Sequence, residues 1–211
     1  MENAKQKYYD KRAQVLVKNL RRRHHDAWYC PTKQEALAKA LELIPEGSVV
    51  GWGGAYSAKQ IGLLEAMHSG SYTAIDRDKC PTVEERAQAA RDCFNADYFI
   101  MGANALSLDG EMVSIDGNGN RVGCLIFGPK YVIVVAGMNK VCDSLEAAME
   151  RARTVAAPMN QQRFQGKTPC TGNGICGDCI SENCICNQVV ITRNGRGQRI
   201  KFILVGEELG F

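Results

Sequence analysis

The sequence lacks any apolar run long enough to cross a membrane, which takes roughly 20 consecutive apolar residues. Its first residues, MENAKQKYYDKR, are charged and do not contain the apolar segment of a secretion signal. We therefore expect a cytoplasmic protein that makes no contact with a membrane. The formal net charge of +3 is too small to predict nucleic-acid binding, and we expect none.

Histidine is scarce as well, since the 211 residues include only three. His24 and His25 lie in one basic run, and His68 lies at the end of a predicted helix. This distribution does not indicate the Ser–His or Cys–His pair that nucleophilic catalysis of the triad type requires. The sequence therefore gives no support for a triad hydrolase.

Cysteine is plentiful by comparison: there are ten, and five lie in residues 167–188, KTPCTGNGICGDCISENCICNQ. In a reducing compartment such clusters indicate metal or redox sites more often than disulfides. Cys176-Gly-Asp-Cys179 forms a knuckle that can direct two sulfurs toward one ion. A local disulfide and free thiols stay open as alternatives. The cysteines outside this segment are predicted to be small core residues: Cys30, Cys80, Cys93, Cys124 and Cys142.

Helical and strand-like patterns alternate through residue 157, which predicts an α/β fold with a mostly parallel sheet. Helices are predicted over residues 3–23, 33–44, 82–94 and 144–157, and a further helix carries Ile61, Leu64 and Met67. The predicted strands are 26–30, 48–52, 71–76, 97–102 and 131–137. Two hairpins are expected, one from 111–116 and 121–128, and a C-terminal one from 188–193 and 199–206. We expect one domain over 1–211, with an N-terminal helix within 1–25 and a cysteine-rich loop excursion at 167–187.

Ligands of open α/β sheets bind beyond the carboxyl ends of the strands, and four segments are predicted to lie there. They are GWGGAYSAK (51–59), the polar stretch 102–123, AGMNK (136–140) and GEELGF (206–211). Main-chain N–H groups at a glycine-rich helix start can hold a phosphate or carboxylate. The predicted ligand-binding residues are Gly51, Gly53, Gly54, Ser57, Asn104, Asp109, Gly110, Asn118, Asn120, Arg121 and Lys140.

Each of these segments also has a structural explanation. Asn and Asp are common in turns because they accept left-handed backbone geometry. A lone lysine such as Lys140 is more often a solvated residue at a helix start, and Glu207 is explained by a polar tail. The run that begins at Asp116 lacks the spacing of a calcium loop. The catalytic residue is not fixed by any motif, and the candidates by location are Asp109, Asp116, Lys140 and Glu207.

Several segments taken together resemble the LUD-domain family, the lactate-utilisation protein C-like proteins. They are GWGGAYS, GANALSLDGEMVSIDGNGNRVGCLIFGPKYVIVVAGMNKV, AAPMNQQR, TPC…GICGDC…ICN and ILVGEELGF, within a likeness that spans roughly residues 5–211. The resemblance implies a three-layer Rossmann-like fold, similar to the sugar-isomerase and CoA-transferase superfamily. It further implies a role in oxidising lactate to pyruvate beside iron–sulfur subunits, which are the expected protein partners.

For the cysteine-rich loop, the resemblance implies a metal set of Cys170, Cys176, Cys179 and Cys186, with Cys184 as an additional thiol. Zinc and an iron–sulfur cluster are both compatible with four thiols, and the spacing matches neither ferredoxin run. Two other functions stay open: a non-catalytic module that binds sugar phosphates or CoA compounds, and an iron–sulfur electron-transfer subunit. A homo-oligomer is also left open.

Overall fold

Six parallel strands form the central sheet of the computed structural model, which describes residues 2–211. The strands are β1 (Asp26–Cys30), β2 (Val49–Trp52), β3 (Thr73–Ile75), β4 (Tyr98–Gly102), β7 (Tyr131–Gly137) and β10 (Ile200–Val205). Their order across the sheet is β1-β10-β7-β4-β2-β3, and every pairing is parallel. The carboxyl ends of all six strands therefore meet at one edge.

A second, four-stranded sheet has the order β8-β5-β6-β9. Its strands are β5 (Ala105–Ser107), β6 (Met112–Asp116), β8 (Val141–Cys142) and β9 (Gln188–Thr192). One face of this small sheet packs toward the central sheet through Leu106 and Met112, which are fully buried. The other face carries Ala105 and Val113 under the helical segment that follows β8.

Helices cover both faces of the central sheet and give a three-layer architecture. They are α1 (Glu2–Arg22), α2 (Lys33–Leu43), α3 (Tyr56–Gln60), α4 (Leu63–Ser69), α5 (Val83–Asp92), α6 (Asn120–Phe127), α7 (Leu145–Arg151), α8 (Ala157–Gln161) and α9 (Pro169–Asn173). A π-helical segment, Ala152–Ala156, joins α7 to α8. No helix among residues 2–211 is long and apolar enough to span a membrane.

Strand β7 shows how the sequence specifies two cores. It is apolar along its length, as expected of a strand buried on both faces. Val132 and Val134 pack with α1 and α6 on one side of the sheet. Ile133 and Val135 pack with α2, α3 and α4 on the other. The predicted α/β fold with a mostly parallel sheet is thus confirmed.

The hairpin predicted from 111–116 and 121–128 was half wrong, because the second segment is the helix α6. A short apolar run such as VGCLIF suits a strand and a helix equally by pattern. The Asp116 carboxylate decides the outcome, since it accepts the main-chain N–H groups of Asn118, Gly119 and Val122. These bonds satisfy donors that a helix start leaves without partners.

Two strands follow the cysteine-rich loop as predicted, but they do not pair with each other. β9 pairs antiparallel with β6 at the edge of the small sheet, where its side chains alternate in exposure. β10 is buried along almost its whole length, and it lies between β1 and β7 in the central sheet. The difference in hydrophobicity between the two strands explains why they enter different sheets.

Candidate functional site

Lys140 lies at the carboxyl edge of the central sheet, in a one-turn helix that directly follows β7. It is only 4% exposed. Its Nζ donates to Ser57 Oγ at 3.2 Å and to the main-chain oxygen of Ala103 at 3.1 Å. Ser57 belongs to α3, directly after the glycine-rich loop, and Ala103 follows β4. The ammonium group therefore ties together the ends of two strands and the start of a helix.

The charge of Lys140 is poorly compensated. Among the side chains of residues 4–211, no carboxylate forms a salt bridge with its Nζ. Burial, followed by repulsion from Arg151 and Arg121, lowers the pKa of Lys140 from its usual 10.5 to about 7. At neutral pH a large fraction of this side chain is consequently a neutral amine.

A second cation, Arg151, reaches the same edge from the end of α7. Its Nη1 donates to the main-chain oxygens of Asn104 (2.6 Å) and Phe211 (3.3 Å), and its Nε donates to that of Asn139 (3.2 Å). Burial lowers the pKa of Arg151 below its usual range. The oxygens of Asn104 and Asn139 are neutral carbonyl groups, and the charge of Arg151 lowers the pKa of Lys140.

Asn104 and Arg121 form a third part of the edge. Asn104 Oδ1 accepts the main-chain N–H of Ile115 (3.0 Å) and Arg121 Nη2 (3.1 Å). Arg121 also donates to the main-chain oxygens of Gly102 (3.3 Å) and Ile115, and its Nε lies 3.6 Å from Asp116. Since this arginine has a carboxylate partner, its role is to hold the strand ends of β4 and β6 together.

The glycine-rich loop after β2 lies against this arginine. Gly54 has φ +56°, and a Cβ added to it would lie 2.8 Å from Arg121 Cδ. Its main-chain oxygen accepts the N–H of Gly102 at 3.2 Å. A side chain at position 54 would therefore be strained and would displace the guanidinium group. The glycine is required for the close approach of the loop to β4.

The segment Leu209–Phe211 covers the Lys140 ammonium group. Gly210 has φ +64°, and a Cβ on it would lie 2.7 Å from both Lys140 Nζ and Ser57 Oγ. Asn139 Oδ1 accepts the N–H of Leu209 (3.1 Å), and Gln60 Oε1 accepts that of Gly210 (2.6 Å). The ring of Phe211 stacks on Tyr56, with centroids 5.1 Å apart. This segment controls access to Nζ.

Comparison with known proteins identifies the family. The LUD-domain family model matches residues 13–205. The chain belongs to the LUD-domain family. No curated protein matches the chain.

Solved structures agree with this LUD-domain fold. A crystal structure of a DUF162 family protein from Deinococcus radiodurans has a TM-score of 0.55 at 12% identity, and covers 93% of this chain and 98% of that one. Ribose 5-phosphate isomerase A from Neisseria gonorrhoeae is similar over 54% of each chain, with a TM-score of 0.34 at 19% identity. The first of these matches supports the fold of the LUD domain, and the second is too distant to add to it.

Lys140, Ser57 and Arg151 are called the Lys140 cluster here. Three of the predicted site residues lie away from it. Asp109 and Gly110 form the turn between β5 and β6 beside the end of α1, where the main-chain oxygen of Asp109 accepts Arg23 Nε at 2.5 Å. Glu207 accepts the N–H of Lys33 at 2.8 Å and pairs with its Nζ at 3.0 Å. Asp109 is exposed and Glu207 anchors α2, so neither carboxylate reaches Lys140.

The other predicted residues divide into supporting and peripheral positions. Asp116 is 8% exposed, and both of its oxygens are used by main-chain N–H groups at the start of α6. Asn118 is exposed and Asn120 is the first residue of α6. Gly51, which belongs to β2, packs against Cys93, and Gly53 packs against the ring of Phe99. Asn139 and Gly210 lie in the predicted segments 136–140 and 206–211, although neither was singled out. Arg151 and Gln60 were missed altogether, because positions within a helix carry no signal of a shared site.

The cysteine-rich loop of the LUD domain brings its thiols close together. Cys184 Sγ accepts the N–H of Cys186 at 3.4 Å. Burial raises the pKa of Cys184, and a hydrogen bond with the Cys179 thiol raises it further. Burial and then the neighbouring thiols of Cys184, Cys176 and Cys170 raise the pKa of Cys186 to about 12. In the described part of the chain, no three His, Cys, Asp or Glu side chains stand in a metal-binding arrangement.

The same loop supports the carboxyl edge. Asn187 Nδ2 donates to the main-chain oxygen of Gly117 at 3.0 Å, and a Cβ on Gly117 would lie 3.2 Å from Ile185 Cα. Gly117 belongs to the turn that Asp116 caps and that orients Arg121. The cysteine-rich loop thus packs directly on the turn that positions the third part of the site.

A prominent hollow of about 630 Å³ lies elsewhere on the LUD domain. It is formed at the amino ends of β1 and β10, and its lining includes Arg21, His25 and Arg196. His25 is 2% exposed, and its ring packs edge-on against Phe202. Burial and the nearby arginine and histidine lower the pKa of His25 to about 4, so that this ring is neutral at neutral pH. The hollow and the Lys140 cluster lie at opposite edges of the sheet.

Proposed function

We propose that this LUD-domain protein acts in the oxidation of lactate to pyruvate and binds a small carboxylate ligand beside Lys140. The family is associated with lactate utilisation, and the chain belongs to it. The observation that carries the ligand proposal is a lysine 4% exposed that has no carboxylate partner among the described side chains of residues 4–211. Lactate and pyruvate each bring one carboxylate, which would supply the charge that the site lacks.

The energetic argument rests on the cost of a buried charge. An ammonium group removed from water costs several kcal/mol unless it is paired and hydrogen-bonded. Lys140 has two hydrogen-bond partners but three N–H donors when protonated. Arg151 lies close enough to lower the pKa of Lys140, and its bonds to Asn104 and Asn139 go to neutral carbonyl groups. An anion bound between these two cations would relieve both, which favours a carboxylate over a neutral ligand.

In this proposal each residue has a defined role. Arg151 stays charged at neutral pH and attracts the carboxylate of the ligand. Ser57 Oγ, 1% exposed and hydrogen-bonded to Lys140, supplies a hydroxyl group for the oxygen on C2 of the ligand. Gly54 leaves room for the Arg121 side chain, and Gly210 leaves room for Lys140 Nζ and Ser57 Oγ. Asp116, Arg121 and the cysteine-rich loop hold the surrounding turns in place.

We further propose that the thiols of Cys170, Cys176, Cys179 and Cys186 hold zinc or an iron–sulfur cluster. Support comes from the proximity of the thiols: Cys170 and Cys176 lie close enough to Cys186 to raise its pKa, and Cys184 forms a hydrogen bond with Cys179. Cys184 lies within the same group, next to Cys179 and Cys186, and is a fifth candidate. Anaerobic purification followed by metal analysis and a visible spectrum tests this: a colourless, metal-free protein would contradict it.

Calorimetry with lactate and pyruvate tests the ligand proposal directly. We expect both to bind the wild-type protein, and Lys140→Met to bind about 10–100-fold more weakly, because a charge-assisted hydrogen bond contributes about 1.5–3 kcal/mol. Lys59→Met is the matched control, since Lys59 is exposed on α3 near the same edge. Ribose 5-phosphate and acetyl-CoA complete the panel. Binding of these compounds alone would replace the proposal with a sugar-phosphate or CoA module.

Growth of a deletion strain tests the biological role. We expect the strain to grow poorly with lactate as the sole carbon source and normally with pyruvate. Expression of the wild-type chain should restore growth, whereas Lys140→Met should not. Normal growth of the deletion strain on lactate would contradict the proposed function.

A further inference from the structure

We propose that Lys140 is a nucleophile that forms an imine with the carbonyl carbon of a 2-oxo acid such as pyruvate. The inference rests on the proposed function, because it gives the same ligand a covalent bond to the same nitrogen. Three features of Lys140 support the inference: the position of its amine, the groups beside it and its burial.

The first argument is the placement of the nitrogen among its neighbours. Nζ is held by two hydrogen bonds, to Ser57 Oγ and to Ala103 O, so that it is fixed at one point of the edge. A nucleophile fixed in this way loses little entropy when it attacks a bound carbonyl group. Neither neighbour is a carboxylate, and a carboxylate at this distance would keep the lysine protonated.

The second argument is the electrostatic environment. Lys140 is 4% exposed and faces Arg151 from α7 and Arg121 from α6. These groups bring its pKa to about 7, and a neutral amine is the form that attacks carbonyl carbons. Arg151 keeps its charge at the same pH and so remains available to hold the carboxylate of the 2-oxo acid. Arg151 would thus bind the ligand while the neutral amine of Lys140 reacts with it.

The step is balanced without an oxidant or reductant. The nitrogen lone pair attacks the carbonyl carbon, the N–C bond forms, and the carbonyl oxygen leaves as water with the two hydrogens of the neutral amine. Ser57 Oγ, 3.2 Å from Nζ, is placed to pass a proton from the nitrogen toward the departing oxygen. L-lactate carries a hydroxyl group instead of a carbonyl group and cannot react in this way.

Access to the nitrogen requires that the segment Leu209–Phe211 move aside. A Cβ on Gly210 would lie 2.7 Å from Nζ, so that this segment occupies the space beside the amine. It is held by hydrogen bonds with Asn139, Gln60 and Arg151 and by the stacked rings of Tyr56 and Phe211. Each of these contacts is individually weak. Ligand binding must offset them.

Reductive trapping tests the inference. The protein is incubated with pyruvate and sodium cyanoborohydride, and the product is analysed by intact mass and peptide mapping. We expect one adduct whose mass equals pyruvic acid less one oxygen atom, located on Lys140. The adduct should be absent with L-lactate and absent in Lys140→Met, and it should persist in the control Lys59→Met. Mapping on the wild-type protein does not depend on the folding of any variant.

The outcomes separate this inference from the proposed function. If pyruvate binds in calorimetry but leaves no adduct on Lys140, the imine is excluded and the carboxylate site stands. Adducts spread evenly over exposed lysines would also overturn the inference, because they show ordinary amine reactivity. If neither lactate nor pyruvate binds and no adduct forms, the proposed function fails together with the inference.

Discussion

Replacing Lys140 with methionine removes a buried charge while keeping a side chain of similar length. The pKa of Lys140 is about 7 in the folded protein and 10.5 without these surroundings. Between these two values the unfolded chain binds more protons than the folded one, so the free energy of unfolding rises with pH. Below pH 7 both states are protonated and the whole cost of the buried charge is present.

The magnitude follows from the two pKa values. Between pH 7 and pH 9 the wild-type protein should gain about 2 kcal/mol of stability from this one group. The gain is below the full slope of about 1.4 kcal/mol per pH unit, because at pH 7 about half of the folded molecules have already lost this proton. Lys140→Met lacks this gain. Other groups, including the cysteines, titrate in both proteins, and their contribution cancels in the difference.

Urea unfolding of both proteins at pH 7 and pH 9 measures the effect. At pH 7 we expect the free energy of unfolding of Lys140→Met to be higher than that of the wild-type protein. At pH 9 this difference in free energy should be smaller by about 2 kcal/mol. If the stability difference between the two proteins is the same at both pH values, then Lys140 titrates as an ordinary lysine. Its burial without a counter-ion would then no longer support the proposed site.

Three further substitutions test the supporting structure by urea unfolding. Gly54→Ala should cost about 1–2 kcal/mol, because φ is +56° and the new Cβ would meet Arg121, whereas Gly172→Ala, with no atom within 4 Å, should be nearly neutral. Asp116→Ala should cost roughly 3 kcal/mol, since it removes the cap of α6 and leaves Arg121 without its carboxylate. Thr82→Ala should cost about 1 kcal/mol through loss of the α5 capping box, and an unchanged midpoint would contradict that assignment.

Periodicity predicted most of the elements because their local patterns agree with their final environment. Strand β7 is apolar throughout and is buried on both faces, and α2 (Lys33–Leu43) agrees with the predicted helix 33–44. The α6 segment was assigned wrongly because a short apolar run does not distinguish helix from strand. Its helical state depends on the Asp116 carboxylate, whose contribution becomes visible only in the folded turn.

The site was predictable only in part, because it is assembled from distant segments. The rule that ligands bind beyond the carboxyl ends of strands located Ser57, Asn104, Arg121 and Lys140 correctly at one edge. The same rule also selected Glu207, which follows β10 but pairs with Lys33 and does not reach Lys140. Arg151 escaped notice, since an arginine within an amphipathic helix is ordinarily a surface residue. Its contact with Asn104 joins positions 47 residues apart in the sequence.

The central claim is that a small carboxylate binds between Lys140 and Arg151, and a crystal structure with bound pyruvate would test it most directly. We predict density for the ligand beside Lys140 Nζ and the Arg151 guanidinium group, with Leu209–Phe211 moved away from its present position. Density in the hollow lined by Arg21 and His25 instead, with Leu209–Phe211 still covering Lys140, would contradict the claim.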